Sequence, residues 1–429
     1  VISSGVEDSL AGNSATFQPT RRSTWSWIVY DLANTIFSLN ILSLYFSLWV
    51  VNDQGGRDAH FTVATSVSMA GILVLAPLIG VLSDQVPRRL PLLMATTIGC
   101  CLLTALLGLG GLYVSLALFI GANVLYQAGL LFYDTLLPSV STPQNRGRVG
   151  SLGVGLGYLG SLVGIGIGAT VLAVRPDQDV WIFRATAAAF LLLAIPCFLF
   201  VRERPRTRAT PDRNTIHGFR LGRVREGFGL LRHYPALRRF LVSHVLYADA
   251  ANTAIAVMGI YATREMGFSE AQAQVVLLAG ILGAISGALL LGRIVDSIGP
   301  KRTLSIVLVF WLVALGSFAA IPTLGVPRAL FWPAAVLAGV ALGGLWTADR
   351  PFMLRLTPPE RLGQFYGIYS MVGRFAAIIG PLGWALIVDG LEWGRPTAVA
   401  ALMIVITIAL VVIRPVDDHQ RLEAPSPSF

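Results

Sequence analysis

Four aspartates and two arginines stand where a lipid-soluble chain can least accommodate them. Asp31, Asp134, Asp249 and Asp349 each interrupt an apolar run, and Arg350 and Arg374 are the cations set as deeply. An ionised side chain in hydrocarbon is expensive, so such residues turn toward a partner, a cavity or a ligand. A carboxyl group withdrawn from water can carry a proton, and arginine's planar fork can hold a carboxylate in bidentate fashion. Proton carriage and binding of a small polar solute are the chemistries that follow. Asp31 with Asn34 and Thr35 also offers hard oxygen ligands, so sodium stands beside the proton as a coupling ion.

The elements that position these residues are membrane helices. Hydrophobic residues make up 55% of the 429-residue chain and charged residues 13%, where a soluble protein carries roughly 25% charged. A mean hydropathy of +0.69 cannot be hidden in one buried core, because a soluble protein of this size must cover itself with polar residues. At roughly 20 apolar residues per span, helices are expected near 24–51, 61–83, 90–110, 112–138, 148–174 and 180–201, then near 239–263, 270–296, 302–322, 328–355, 362–388 and 396–414. The expected organisation is a disordered cytoplasmic tail (1–22) that does not read as a signal peptide, and a six-helix bundle (23–201). A basic linker (202–238), a second bundle (239–414) and a short cytoplasmic tail (415–429) follow.

The net charge of +9 does not imply nucleic acid, because the basic residues lie in short gaps between apolar runs. With both termini inside, the cytoplasmic side receives Arg21, Arg22, Arg88, Arg89, Arg146, Arg148, the cluster from Arg202 to Arg239, Lys301, Arg302, Arg355, Arg361, Arg414 and Arg421. The outside receives Arg57, Arg175, Arg264, Arg328 and Arg395. That imbalance assigns both termini to the cytoplasm, and the plasma (inner) membrane is the expected location. The arginines of the 202–238 loop also suit anionic lipid headgroups.

The two sets of six repeat. Asp31-x-Ala33-Asn34-Thr35 returns as Asp249-x-Ala251-Asn252-Thr253, displaced by 218. Asp134 with Thr142-Pro143 and Arg146 returns as Asp349 with Thr357-Pro358 and Arg361, displaced by 215. Gly80-x-Leu82-x-Asp84-x-x-Pro87-Arg88-Arg89 returns as Gly292-Arg293-x-x-Asp296-x-x-Gly299-x-Lys301-Arg302, displaced by 212. Parallel six-helix repeats are the arrangement in which secondary transporters rock one bundle against the other around a midplane site.

These features together resemble the major facilitator superfamily over residues 24–414. The second-half signature is close to the family's, and the first carries Pro87 where glycine is usual. Tyr30-Asp31-Leu32-Ala33-Asn34-Thr35-Ile36-Phe37 resembles the opening of the "unknown major facilitator" branch, which includes vacuolar amino-acid effluxers. The glycoside–pentoside–hexuronide:cation symporters open with a related pattern and imply a sodium-coupled sugar or lysolipid symporter instead. The resemblance implies an all-α membrane protein of twelve transmembrane helices in two pseudo-symmetric bundles, with a cavity lined by helices one, four, seven and ten.

At about 100° per residue, Asp31, Asn34, Thr35, Ser38 and Tyr45 share a stripe on helix one, and Asp249, Asn252, Thr253 and Thr263 on helix seven. Asn123, Gln127 and Asp134 make one polar edge on helix four. With Asp349, Arg350 and Arg374 these are the candidate solute- and ion-binding residues. The resemblance assigns Asp84 with Arg88 and Arg89, and Arg293 and Asp296 with Lys301 and Arg302, to a charged latch between the halves. Helix five carries Gly160, Gly164 and Gly168 at four-residue steps, a spacing that lets backbones touch.

Other patterns carry no chemistry of their own. Gly155-x-Gly157-x-x-Gly160 has the dinucleotide string without a preceding strand. His244 and Asp249 lie about 140° apart on one helix and cannot share a proton, which leaves His244 chiefly an interfacial or core histidine, with a role in proton traffic as the alternative. Cys100, Cys101 and Cys197 lie inside apolar runs and write neither a disulfide framework nor a zinc site. The expected protein is a monomeric carrier of a small solute, coupled to H⁺ or Na⁺ and in contact with lipid. No enzymatic activity, metal, cofactor or nucleic-acid partner is expected. A non-transporting receptor signalling through the 202–238 loop is the alternative from another class, and several acids in the cavity disfavour it.

Overall fold

The structure, a computed structural model, describes residues 19–56, 58–175, 179–203 and 229–416. Both expected tails (but for a few inner residues) and most of the expected linker lie outside the described residues. Twelve apolar helices are present among those described: α1 (Arg21–Phe37), α2 (Asp58–Gln85), α3 (Leu90–Ala105), α4 (Gly111–Thr135), α5 (Arg146–Val174), α6 (Val180–Phe200), α7 (Pro235–Ile260), α8 (Glu270–Ile298), α9 (Pro300–Leu324), α10 (Phe331–Leu356), α11 (Leu362–Ala385) and α12 (Arg395–Ile413). The π-helical stretch Ser38–Leu44 and the helix Tyr45–Asn52 complete the first span. Among the described residues eleven spans are long and apolar enough to cross a membrane, and α3, of 16 residues, is shorter.

Local chemistry sets the ends. Thr20 caps α1 by accepting from the Ser23 amide at 3.2 Å, and Ser269 with Gln272 forms a capping box on α8. Gly299, at φ 91°, breaks α8 from α9, and Pro300 starts α9 where its missing N–H is harmless. The third span was expected to reach 110 but stops at Ala105. Residues 106–110 form a turn in which Gly108 and Gly110 take φ of 89° and 84°. The linker was expected to last to 238, whereas α7 begins at Pro235 after a single turn, Leu231–His233. Arg238 and Arg239 read as loop by charge, yet they lie in the first turns of α7, where arginine can reach the interface along its aliphatic stem.

The packing obeys one rule. α1 lies on α5 and α6, α3 on α4 and α6, and α2 on α4. Raising every number by six gives the second set: α7 on α11 and α12, α9 on α10 and α12, and α8 on α10. Between the sets α2 runs along α11 and α5 along α8, two contacts that the same rule exchanges. The chain is therefore two pseudo-symmetric six-helix bundles.

Glycine makes the closest approaches possible. A side chain on Gly160 would strike the Leu32 carbonyl of α1, and one on Gly343 of α10 would strike the Ala284 carbonyl of α8. Aromatic packing fills the first bundle: Trp27 stacks on Tyr133 with ring centres 4.3 Å apart, and Phe46 on Phe119 at 4.7 Å. Leu102, Leu192, Leu199 and Val411 face outward, each more than 60% exposed. Such an apolar exterior suits acyl chains.

Candidate functional site

Where the bundles meet, one arginine joins them. Arg350 of α10 places Nη1 3.4 Å from Asp31 of α1 and Nε 3.2 Å from Asp134 of α4. Its guanidinium carbon lies 5.7 Å from the centre of the Tyr133 ring, within cation–π range. Asp31 is set against α5, where Cβ atoms on Gly153 and Gly157 would come 3.1 Å from its Oδ2 and 3.8 Å from its Cγ. A side chain at Gly153 would crowd the carboxylate, whereas one at Gly157 would only touch it. Thr35 turns its hydroxyl back to the Asp31 carbonyl at 3.1 Å.

One residue earlier on α10, Asp349 faces the other way, fully buried in the second bundle. His244 of α7 puts Nδ1 3.3 Å from its Oδ2, and the hydroxyls of Tyr247 and Tyr369 both donate to the carboxylate. Tyr247 also lies 3.1 Å from His244 Nδ1. The His244 ring stands 4.4 Å from Tyr369 and 6.0 Å from Phe240. Adjacent helical positions diverge by about 100°, which is why Asp349 and Arg350 serve different bundles. Among the described residues the base beside Asp349 is His244.

The remaining candidates divide. Arg374 of α11 is partly exposed, its buried Nε is without a hydrogen-bond partner among the described residues, and Tyr126, Asp134 and Tyr369 are its electrostatic neighbours. Asn34 is buried, with its amide nitrogen likewise unpartnered. Ser38 is half-buried and bonds the Tyr126 hydroxyl. Asn123 corrects an expectation. It is fully buried and donates to Ser68 Oγ of α2 at 2.7 Å, and Gln127 donates to Asn123 at 3.3 Å. Asn123, held by Gln127, ties α4 to α2, while Asp134 farther along the same edge turns to Arg350. Asp249 and Thr253 lie against the backbone of α11 at Gly380, apart from the ion pairs of Arg350. Asn252 is half-buried, and Thr263 bonds back to the Gly259 carbonyl of its own helix.

At the end of the bundles that carries most of the basic loops, two aspartates bind across the halves. Asp84 of α2 accepts from the Gly363 and Gln364 amides at the start of α11, both at 2.7 Å. Asp296 of α8 accepts from the Gly147 and Arg148 amides at the start of α5, at 2.7 and 2.9 Å. A carboxylate at a helix N-terminus is held by free amides and by the helix dipole. The basic residues of the expected latch take unequal parts in it. Arg89 does bond Asp84 at 2.8 Å, but Arg88, Arg293 and Arg302 are exposed and Lys301 is half-buried. The pairing that joins the halves is carboxylate to backbone.

Arg89 is itself anchored. Its Nη1 reaches the Thr135 carbonyl at 3.1 Å, and Glu203, just past α6, accepts from the Arg89 and Leu90 amides at 2.5 and 3.0 Å. Burial pushes the Glu203 carboxyl up to about 7, against the lowering effects of the Leu90 amide and Arg88. A folded carboxyl that keeps its proton to higher pH than the unfolded chain would loses stabilising effect as pH rises from the ordinary carboxylate range toward 7. Glu203→Gln should flatten the melting temperature of the purified protein against pH across that window. An unchanged slope would show that Glu203 does not titrate there.

Sequence reasoning set His244 down chiefly as an interfacial or core histidine and missed Tyr247, Tyr369 and Glu203. His244 and Tyr247 had a legible signal, since residues three apart share a helix face; the others come from distant helices and had none.

Comparison with known proteins agrees with this architecture. Residues 57–424 match the family described as vacuole effluxer Atg22 like. An uncharacterized MFS-type transporter of Bacillus subtilis, YxiO, is 25% identical over 410 residues, covering 90% of this chain and 93% of that one. Autophagy-related protein 22-1 of Aspergillus fumigatus is 25% identical over 306 residues, covering 64% of this chain and 49% of the fungal one. Among solved structures, the human organic anion transporter MFSD10 aligns at a TM-score of 0.72 with 18% identity, over 92% of this chain and all of that one. The transporter FucP in its outward conformation also aligns at 0.72, with 11% identity over 92% and 97% of the two chains. The likeness to these two is one of fold. The chain belongs to the Atg22-like family and is an MFS-type transporter.

Proposed function

We propose that this transporter is a secondary active carrier that moves a small polar solute by alternating access, driven by protons, in the plasma (inner) membrane with both termini cytoplasmic. The observation that carries the reading is Arg350 of the second bundle held by Asp31 and Asp134 of the first. Charges that join two halves at membrane depth must be re-paired or neutralised before the halves part. A proton or a charged solute does that, which ties opening to binding. The Asp84 and Asp296 contacts close the basic end, and in this reading they are the inner latch of an outward-open carrier.

The test is flux into proteoliposomes under an imposed pH gradient or an imposed sodium gradient, across amino acids, sugars, nucleosides and lysolipids. Accumulation that follows the pH gradient is expected. Accumulation that follows sodium alone would replace the coupling ion, and no flux of any solute under either gradient would leave a receptor on the same scaffold.

Arg374 is the proposed solute contact, because its guanidinium lies by the ion pairs of Arg350 and its Nε has no hydrogen-bond partner among the described residues. For a solute bearing a carboxylate, Arg374→Lys should raise the half-saturating concentration at least about tenfold, near 1.4 kcal/mol, with unchanged yield, since lysine cannot reproduce the fork. A wild-type-like Arg374→Ala would remove this residue from the cavity.

A further inference from the structure

The charges around Arg350 do not balance. Asp31, Asp134 and Asp349 are gathered near Arg350 and Arg374, so with every acid ionised the group holds one negative charge too many. An uncompensated charge away from water is among the costliest things a fold can hold. One base stands within the group. His244 is 2% exposed, on a helix of the second bundle, and its Nδ1 faces Asp349.

We propose that His244, held against Asp349, is the site that takes up the coupling proton, while Asp31, Asp134 and Arg350 form the charge lock that the proton releases. This rests on the proton-coupled reading above. The groups facing the pair are Tyr247 from α7, Tyr369 with Tyr366 and Arg374 from α11, Arg350 beside Asp349 on α10, and Asp134 from α4. With three donors on Asp349, the carboxylate is held in its ionised form by geometry, and within the pair the proton goes to His244. Nδ1–H points at Asp349, so the incoming proton joins the lone pair of Nε2, and imidazole becomes imidazolium without any bond in the protein breaking. Nε2 faces Gly373, where a Cβ would lie 3.2 Å away. Any larger residue at 373 would set a side chain against that nitrogen, one residue from Arg374.

The same geometry explains how a proton on His244 would reach the lock. Asp349 and Arg350 are consecutive on α10, one gripped by His244 and its tyrosines, the other by Asp31 and Asp134. A change in the charge that grips Asp349 alters the field and the helix position at Arg350, where the halves are joined. No separate relay is required.

The experiment needs no solute. Proteoliposomes of the full chain on a solid-supported membrane are given pH jumps in solute-free buffer, and the transient charge displacement is recorded. The wild type should displace charge with a midpoint set by the site. His244→Gln, which keeps an amide to bond Asp349 but cannot titrate, should reduce the displacement at least about tenfold. His60→Gln, far from the cluster, should leave it unchanged. Tyr247→Phe retains both His244 and Asp349 and serves if His244→Gln folds poorly: it should keep the amplitude and shift the midpoint, which a packing role would not do. Full displacement in His244→Gln, or an unshifted midpoint in Tyr247→Phe, would overturn the assignment to this pair while proton coupling stands. Absence of any displacement in the wild type would instead overturn the proton-coupled reading and this site with it.

Discussion

Arg350→Ala should abolish coupled transport and lower the stability of the purified protein by about 3–5 kcal/mol, the usual consequence of leaving buried charges without their partner. The size of the effect follows from the geometry. One guanidinium serves two carboxylates from two helices of the other half, at 3.4 and 3.2 Å, and the Tyr133 ring lies beside it. Without it, Asp31 and Asp134 face each other in a region with little water. Adding Asp134→Asn to Arg350→Ala should recover much of the melting temperature, because it removes one of the two stranded charges, but should not recover transport. Arg350→Lys keeps the charge but cannot present Nη1 and Nε to two acids at once, so it should fold and transport poorly. A wild-type melt and normal gradient-driven accumulation in Arg350→Ala would remove the charge lock from the mechanism.

Asp31→Asn should separate coupling from solute movement. The substitution keeps the size and a polar contact with Arg350 but removes one negative charge from the cluster. Fewer carboxylates then face the two arginines, and the electrostatic reason to bind a proton is gone. Gradient-driven accumulation should fall by about a hundredfold or more, near 2.7 kcal/mol, while counterflow of preloaded solute persists. Equal loss of both would make Asp31 a solute ligand. Undiminished accumulation would make it a structural residue.

Particular residues show which parts of this were legible in one dimension. Asp31, Asp134 and Arg350 could be singled out because a charge in an apolar run is anomalous wherever it lies. Asp84 and Asp296 were also legible as a repeated pair at helix ends. Their partners were not, because these are the main-chain amides of Gly363, Gln364, Gly147 and Arg148, and any residue but proline offers an amide. Asn123 looked like Asp134 in pattern, a polar residue on the same edge of α4. Only the position of Ser68 on α2 shows that the asparagine spends its hydrogen bond inside the bundle.

Helical periodicity, the apolar run lengths and three displaced motifs were enough to determine twelve spans, their two-fold repeat and the membrane as solvent. Those properties follow from local composition, since lipid obliges each spanning segment to satisfy its own backbone and to be apolar along its whole length. Tertiary structure alone decided which charges meet. Neighbouring positions 349 and 350 point about 100° apart, so one carboxylate turns to His244 in its own bundle and the arginine beside it turns to two acids in the other. That division depends on the rotation and spacing of α1, α4, α7 and α10 about one another, and no spacing along the chain encodes it.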